Sequence, residues 1–228
     1  MSVIGKTNVY IVPQGSVKCL SFNGVNDYVG GTIRGGISNS ALTVGFWLYM
    51  RPSKVAFQHP FGLGSGHGWT YYNYYLNNFI YFKVENEITG AYIYETSIGQ
   101  IGWNKWVHIA TTWDGNAYYA YLNGTRIGYT TSNGPVFSSN NFTIGNSGLR
   151  EFANSFNGLI TEVRVYNRAL SDTEITTLYN GGDVWNGLVL YLPGYGILED
   201  QNKWWDFSGN NNHGSLINGP KVVWDRIR

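Results

Sequence analysis

Residues 107–129 read VHIATTWDGNAYYAYLNGTRIGY, and residues 156–170 read FNGLITEVRVYNRAL. In the first stretch an alternating run ends at Asp114-Gly115, an aromatic run follows, and Asn123-Gly124 closes it. Asp-Gly and Asn-Gly accept the positive φ that tight hairpin turns require, so the stretch predicts a β-meander. In the second, Leu159, Thr161, Val163 and Val165 alternate with Ile160, Glu162, Arg164 and Tyr166. That is the pattern of a strand with two different faces.

Outward from these stretches almost everything reads as strand. Val44–Tyr49 (VGFWLY) is bulky throughout and suits a central strand covered on both faces. Thr70–Leu76 and Phe79–Val84 form an aromatic pair around Asn77-Asn78, and Asn141–Ile144 is a short strand. One helix is predicted. Ser171-Asp172-Thr173-Glu174 is a capping box, Ile175 and Leu178 share a face, and Gly181-Gly182 end the turn.

Composition agrees with many short strands joined by tight turns. Of 228 residues, 17% are aromatic and 30 are glycine, while only 13% are charged. Hydrophobic residues still reach 43%, enough for a packed core. The formal net charge is +1 and no basic run appears, so nucleic acid is not an expected partner. Cys19 is the only cysteine, so no internal disulfide holds the fold; in its alternating context it reads as a buried small apolar residue. The opening MSVIGKTNVYIVPQG has no apolar signal-peptide core, and no stretch approaches the ~20 apolar residues of a membrane helix. The expectation is therefore no leader, no anchor and no membrane insertion.

The meander, the 156–170 strand, Leu20–Val29 (LSFNGVNDYV) and Leu42–Leu48 (LTVGFWL) together resemble one family in order and spacing. This is the laminin-G-like, concanavalin A-like jelly roll, in the short form of microbial and viral surface proteins. The resemblance covers most of residues 20–182 and implies an all-β sandwich of two antiparallel sheets with one short helix. It divides the chain into a jelly roll over 1–182 and a strand segment over 183–228. That segment contains GLVLYLPGYG, WWDFSGNNNHGSLINGP and KVVW, which in the family precede the LSFNGVNDYV motif. Three arrangements are open. The segment closes its own sandwich as a circular permutation, adds strands to a neighbouring subunit, or packs as an independent module.

Candidate sites divide by chemistry. Trp69, Tyr71, Tyr72, Tyr74 and Tyr75 put aromatics on both faces of one strand, and only one face can be core. The others are ligand-binding candidates for a glycan, a subunit interface, or plain strand formers. The resemblance implies a structural calcium near the Asn23–Tyr28 turn and the strand after Phe156-Asn157-Gly158, with Asp27 and Glu162 as its acids. Where relatives read Ile-Asp-Glu this chain has Ile160-Thr161-Glu162, which removes one hard oxygen ligand. Glu85 and Glu87 share a strand face at a spacing that paired-carboxylate hydrolysis can use. They fall at a turn, however, and lack the further downstream acid of the family's glycosidases. The four histidines have no zinc-ligand spacing. No catalytic residue is assigned.

The expected function is thus non-catalytic. The leading reading is a structural protein on the exterior of a virion, as capsid decoration, spike or turret. Its partners would be other protein subunits, in a capsid or a homo-oligomer, together with glycans for host attachment. The alternative is a carbohydrate-binding adhesion module of a cell surface, and the third reading a glycosidase.

Overall fold

The computed structural model describes residues 15–35, 37, 39–53, 57–64, 68–74, 78–146 and 155–227. Its strands in chain order are β1 (Val17–Asn23), β2 (Tyr28–Thr32), β3 (Leu42–Met50), β4 (Phe57–Leu63), β5 (Trp69–Tyr74), β6 (Phe79–Glu85), β7 (Tyr92–Gln100), β8 (Trp106–Trp113) and β9 (Ala117–Leu122). After these come β10 (Thr125–Thr131), β11 (Asn141–Ile144), β12 (Asn157–Tyr166), the helix α1 (Asp172–Tyr179), β13 (Leu188–Leu192), β14 (Ile197–Leu198), β15 (Lys203–Trp204), β16 (Gly214–Ile217) and β17 (Lys221–Asp225). The first sheet runs β10-β9-β8-β3-β12-β1-β17, with β13 also paired to β12. The second runs β14-β15-β16-β2-β11-β4-β5-β6-β7. All strand pairs are antiparallel, the jelly-roll arrangement that the sequence predicts.

The core lies between the sheets, where Leu, Ile and Val side chains surround a cluster of aromatic rings. Phe46 and Phe61 stack at 5.8 Å, and Tyr71 meets Phe46 edge-on at 5.0 Å. Trp69, Phe82 and Tyr118 join them, each almost fully buried. Their polar tips are satisfied inside the sandwich. The Tyr71 hydroxyl bonds Thr111 and the carbonyl of Val44, and the Trp204 indole donates to the Pro193 carbonyl at 2.7 Å. Buried tips left unbonded would each cost about 1–3 kcal/mol. β3 is covered on both faces, as its bulky sequence predicts.

Residues after Gly182 add strands to both sheets of this same chain. β13 lies along the second half of β12, β16 pairs with β2, and β17 pairs with β1. Leu190, Leu192, Ile197 and Trp204 are wholly buried in the common core. Cys19 is buried on β1, and desolvation, helped by Asp225, pushes its thiol up to about 12. It is therefore an unreactive core residue.

α1 covers the outer face of the first sheet through Ile175 and Leu178, which pack with Tyr121, Tyr166 and Leu170. Its capping box is complete: Glu174 N–H donates to Ser171 Oγ, and Ser171 N–H donates to the Glu174 carboxylate at 2.9 Å. Arg168 grips the same carboxylate with two bonds, at 2.5 and 3.0 Å. That bond, and next the Ser171 donors, lower the Glu174 pKa from 4.5 to about 2. A depressed carboxylate stabilises above its unfolded pKa and loses that contribution as pH falls through its folded one. Wild-type stability should therefore decline between pH 4.5 and about 2. Glu174→Gln should flatten that part of the curve, as denaturant midpoints at pH 6, 4.5 and 2.5 would show. An unchanged acid slope would mean that the cap is not coupled to folding.

Candidate functional site

The five aromatics predicted for ligand binding are not brought together as a surface. Trp69 and Tyr71 are fully buried in the inter-sheet core, so the strand face they share is the core face. This corrects their assignment to a ligand. Tyr72 points outward but is only 5% exposed, because Tyr81 stacks on it at 5.4 Å and His59 at 5.9 Å. With rings lying over it on β4 and β6, it offers no free face. Tyr74 lies on β5, but its side chain is outside the described residues, as is the whole of Tyr75.

Asp27 and Glu162 do not form a metal site together. Asn23 lies opposite Asn157, and Glu162 is five residues further along β12, so the two acids are roughly 16 Å apart. Asp27 is buried and takes the Asn23 N–H on both oxygens, at 3.0 and 3.1 Å. Desolvation raises its pKa, against the pull of the Asn23 N–H. Glu162 has a left-handed φ of 55° at a bulge in β12. Its carboxylate accepts from the Tyr191 hydroxyl (2.8 Å) and Gly194 N–H (3.0 Å), and pairs with Arg164 at 3.1 Å. Neither acid fits the implied calcium, and no group of three or more His, Cys, Asp or Glu converges among the described residues.

Glu85 and Glu87 are also engaged. Glu85 pairs with Lys83 at 2.5 Å. Glu87 accepts from Gly68 N–H, Ser138 N–H, Ser138 Oγ and Ser139 N–H, tying three loops together. A carboxylate held by four donors is a staple, not an acid or base waiting for a glycosidic oxygen.

Two concave regions stand out among the described residues. One, of about 550 Å³, lies beside the end of α1 and is lined by Trp47, Glu162, Arg164, Tyr179, Asp183, Tyr191 and Tyr195, among others. Four of its polar side chains, Glu162, Arg164, Asp183 and Tyr191, are paired with one another. Arg164 binds Glu162 and Asp183 and lies 4.0 Å above the Tyr191 ring. Burial works against its charge, but Glu162 and its neighbours hold it charged. This network fastens β12 to β13.

The second region is a pair of adjoining clefts at the β14-β15-β16-β2 end of the second sheet. One, of about 310 Å³, is lined by Tyr195, Gly196, Leu198, Trp205, Asp206, Phe207, Asn211 and His213. The other, of about 370 Å³, shares Asn211 and His213 and adds Thr32, Arg34, Lys203 and Ser215. Strand alternation builds it. Trp204 faces the core, so Lys203 and Trp205 face out; Gly214 pairs with Trp204, so His213 and Ser215 face out beside them. β2 follows β16, and Thr32 and Arg34 continue the same outward row.

The loop carrying this row is rigid. Asp206 is buried and accepts from Tyr191 N–H, Ser208 N–H, Ser208 Oγ and Asn212 N–H, each within 2.9 Å. Asn212 donates to the Val189 carbonyl and accepts from Arg34 N–H, so one side chain fixes both ends of the cleft. His213 Nδ1 accepts from Asp206 N–H at 3.1 Å, which leaves the neutral ring's proton on Nε2. Tyr195 and Phe207 meet edge-on at 4.8 Å yet stay 61% and 46% exposed. The Trp205 indole N–H is shielded and has no acceptor among the described residues.

Comparison with known proteins places this geometry. A family model, the concanavalin A-like lectin/glucanases superfamily, matches residues 23–176. The chain belongs to this superfamily. Among solved structures, a Bacteroides ovatus ATCC 8483 protein described as a "putative carbohydrate binding protein" superposes with a TM-score of 0.70 at 17% identity, over 95% of this chain. The chain spans 63% of that protein's length. The native heptameric SAP-like pentraxin of Limulus polyphemus gives 0.61 at 15% identity, over 92% of this chain and 95% of its own. The ligand binding domain of Botulinum neurotoxin serotype D, solved with N-acetylneuraminic acid, gives 0.55 at 14%, over 75% and 43%. At these identities the likeness is one of fold. Among curated proteins no sequence matches the chain. The superfamily model stops at residue 176, before β13–β17 and so before most of the cleft.

Sequence reasoning missed this cleft. Its signal is the alternation Lys203/Trp205, His213/Ser215 and Thr32/Arg34 around core residues. Reading it requires knowing that β16 lies against β2, about 185 positions away.

Proposed function

We propose that the protein is a non-catalytic, lectin-like module that binds glycans through the β15–β16 cleft. The observation that carries this reading is the exposed Tyr195–Phe207 corner on a rigid loop, with Asn211 and His213 beside it. The C–H face of a sugar ring stacks on exposed aromatic carbon, while its hydroxyls need donors and acceptors at the rim. The rigid loop lowers the ordering cost of binding. The engaged states of Glu85 and Glu87 favour binding over hydrolysis. No described helix is long and apolar enough to cross a membrane.

The setting that suits such a module is a biological exterior: a virion surface, where it would sit among other subunits and attach the particle to host glycans, or a cell surface. Binding to an immobilised glycan array tests the core reading. Wild type should bind a restricted set of glycans, and Tyr195→Ala and Phe207→Ala should lose at least about tenfold in affinity while keeping the wild-type melting curve. A folded wild-type protein that binds no glycan defeats the reading. Mass spectrometry of purified particles tests the virion setting, and absence of the chain from them rejects it.

A further inference from the structure

We infer that the ligand of this cleft is an acidic glycan, one carrying a carboxylate or sulfate, whose anion is held by Arg34 and Lys203. The inference rests on the glycan-binding reading above and adds the charge of the ligand. The two clefts meet at Asn211 and His213 and differ sharply in character. One is walled by Tyr195, Trp205 and Phe207. The other is lined only by Thr32, Arg34, Lys203, Asn211, His213 and Ser215, a wholly polar set with two cations and no carboxylate. The single carboxylate on the aromatic side, Asp206, is turned into its own loop by four donors and is unavailable to either cation.

Lys83, Arg126, Arg164 and Arg168 each pair with a carboxylate, and the Lys18 ammonium is capped by the Ile197 carbonyl. Arg34 and Lys203 are the two cations that line this cleft together. Arg34 and Lys203 have no carboxylate partner among the described residues. Lys203 is instead held over the Trp205 ring, 5.2 Å from its centroid, which keeps the ammonium beside the aromatic wall. Arg34 is anchored through its backbone N–H to Asn212, leaving its guanidinium free to take a planar anion with two parallel bonds. A ligand with a ring face at one end and an anion at the other fills both clefts at once. A neutral sugar uses only the aromatic half.

Isothermal titration of the full chain with 3′-sialyllactose, 3′-sulfated lactose and lactose tests this. The expected result is binding of one or both acidic sugars at least about tenfold tighter than lactose, weakening as salt rises from 50 to 500 mM. Arg34→Gln and Lys203→Gln should each bring the affinity for the acidic sugars to within about threefold of that for lactose. The carboxylate and sulfate arms tell which anion the site takes. Equal affinity for lactose and both acidic sugars, unaltered in the two variants, overturns the inference but leaves glycan binding standing. No binding of any sugar, here and on the array, overturns both. Both side chains lie on the surface, so circular dichroism matching wild type establishes that a loss of binding is not a loss of fold.

Discussion

A chain ending at Gly182 is expected to be unfolded or aggregated, with no cooperative melting transition. The truncation removes β13–β17 and with them eight buried hydrophobic side chains: Leu188, Val189, Leu190, Tyr191, Leu192, Ile197, Trp204 and Leu216. At ~1.5–3 kcal/mol each, the lost burial is on the order of 10–20 kcal/mol, against a net domain stability of about 5–15 kcal/mol. It also strips partners from β1, β2 and half of β12 and so exposes three strand edges to other chains. Circular dichroism with light scattering on the full and truncated chains measures this. A truncated chain that melts cooperatively as a monomer would show that residues 183–228 are an accessory to the sandwich, free to serve a neighbour.

Gly194→Ala should destabilise the protein by about 3 kcal/mol, the upper range for forcing one methyl into a packed site. Gly194 opens the turn between β13 and β14, where the tail crosses β1. A Cβ there would run into the backbone carbonyl oxygen of Lys18 and come within 3.0 Å of Thr161 Oγ1. The same residue donates its N–H to Glu162. Moving the turn outward would therefore also break a bond to a carboxylate that organises Arg164 and Tyr191. Gly128→Ala is the control, because it has open space around it and an ordinary φ, and should change stability by less than ~0.5 kcal/mol. Urea midpoints for the two variants decide the matter. Equal stability would mean that the tail does not press on β1 as described.

What the sequence made legible was local. The turns at Asp114-Gly115 and Asn123-Gly124, the capping box at Ser171 and Glu174, and the bulky β3 each carry their instructions within a few residues. The two-faced pattern of β5 was legible too, but not which face was core. Trp69 and Tyr71 are as aromatic as Tyr72, and only the facing sheet, with Phe46 and Tyr118, decides between them. Asp27 and Glu162 were linked by resemblance, and the register of β1 on β12 separates them. The cleft was least legible of all. It joins residues near positions 32 and 213, whose meeting depends on a strand order that no local pattern encodes.

Glycan is expected to bind at the β15–β16 cleft and nowhere else on the described surface. The most direct measurement is an amide and indole nitrogen-15 NMR titration of the full chain with 3′-sialyllactose and lactose. Shifts should cluster at the Trp205 indole and at the amides of Phe207, Asn211 and His213, and the acidic sugar should extend them to Arg34 and Lys203. Shifts centred on Tyr72 and Tyr81, or beside Arg164 and Tyr191, would contradict it and move the site to a different face of the sandwich.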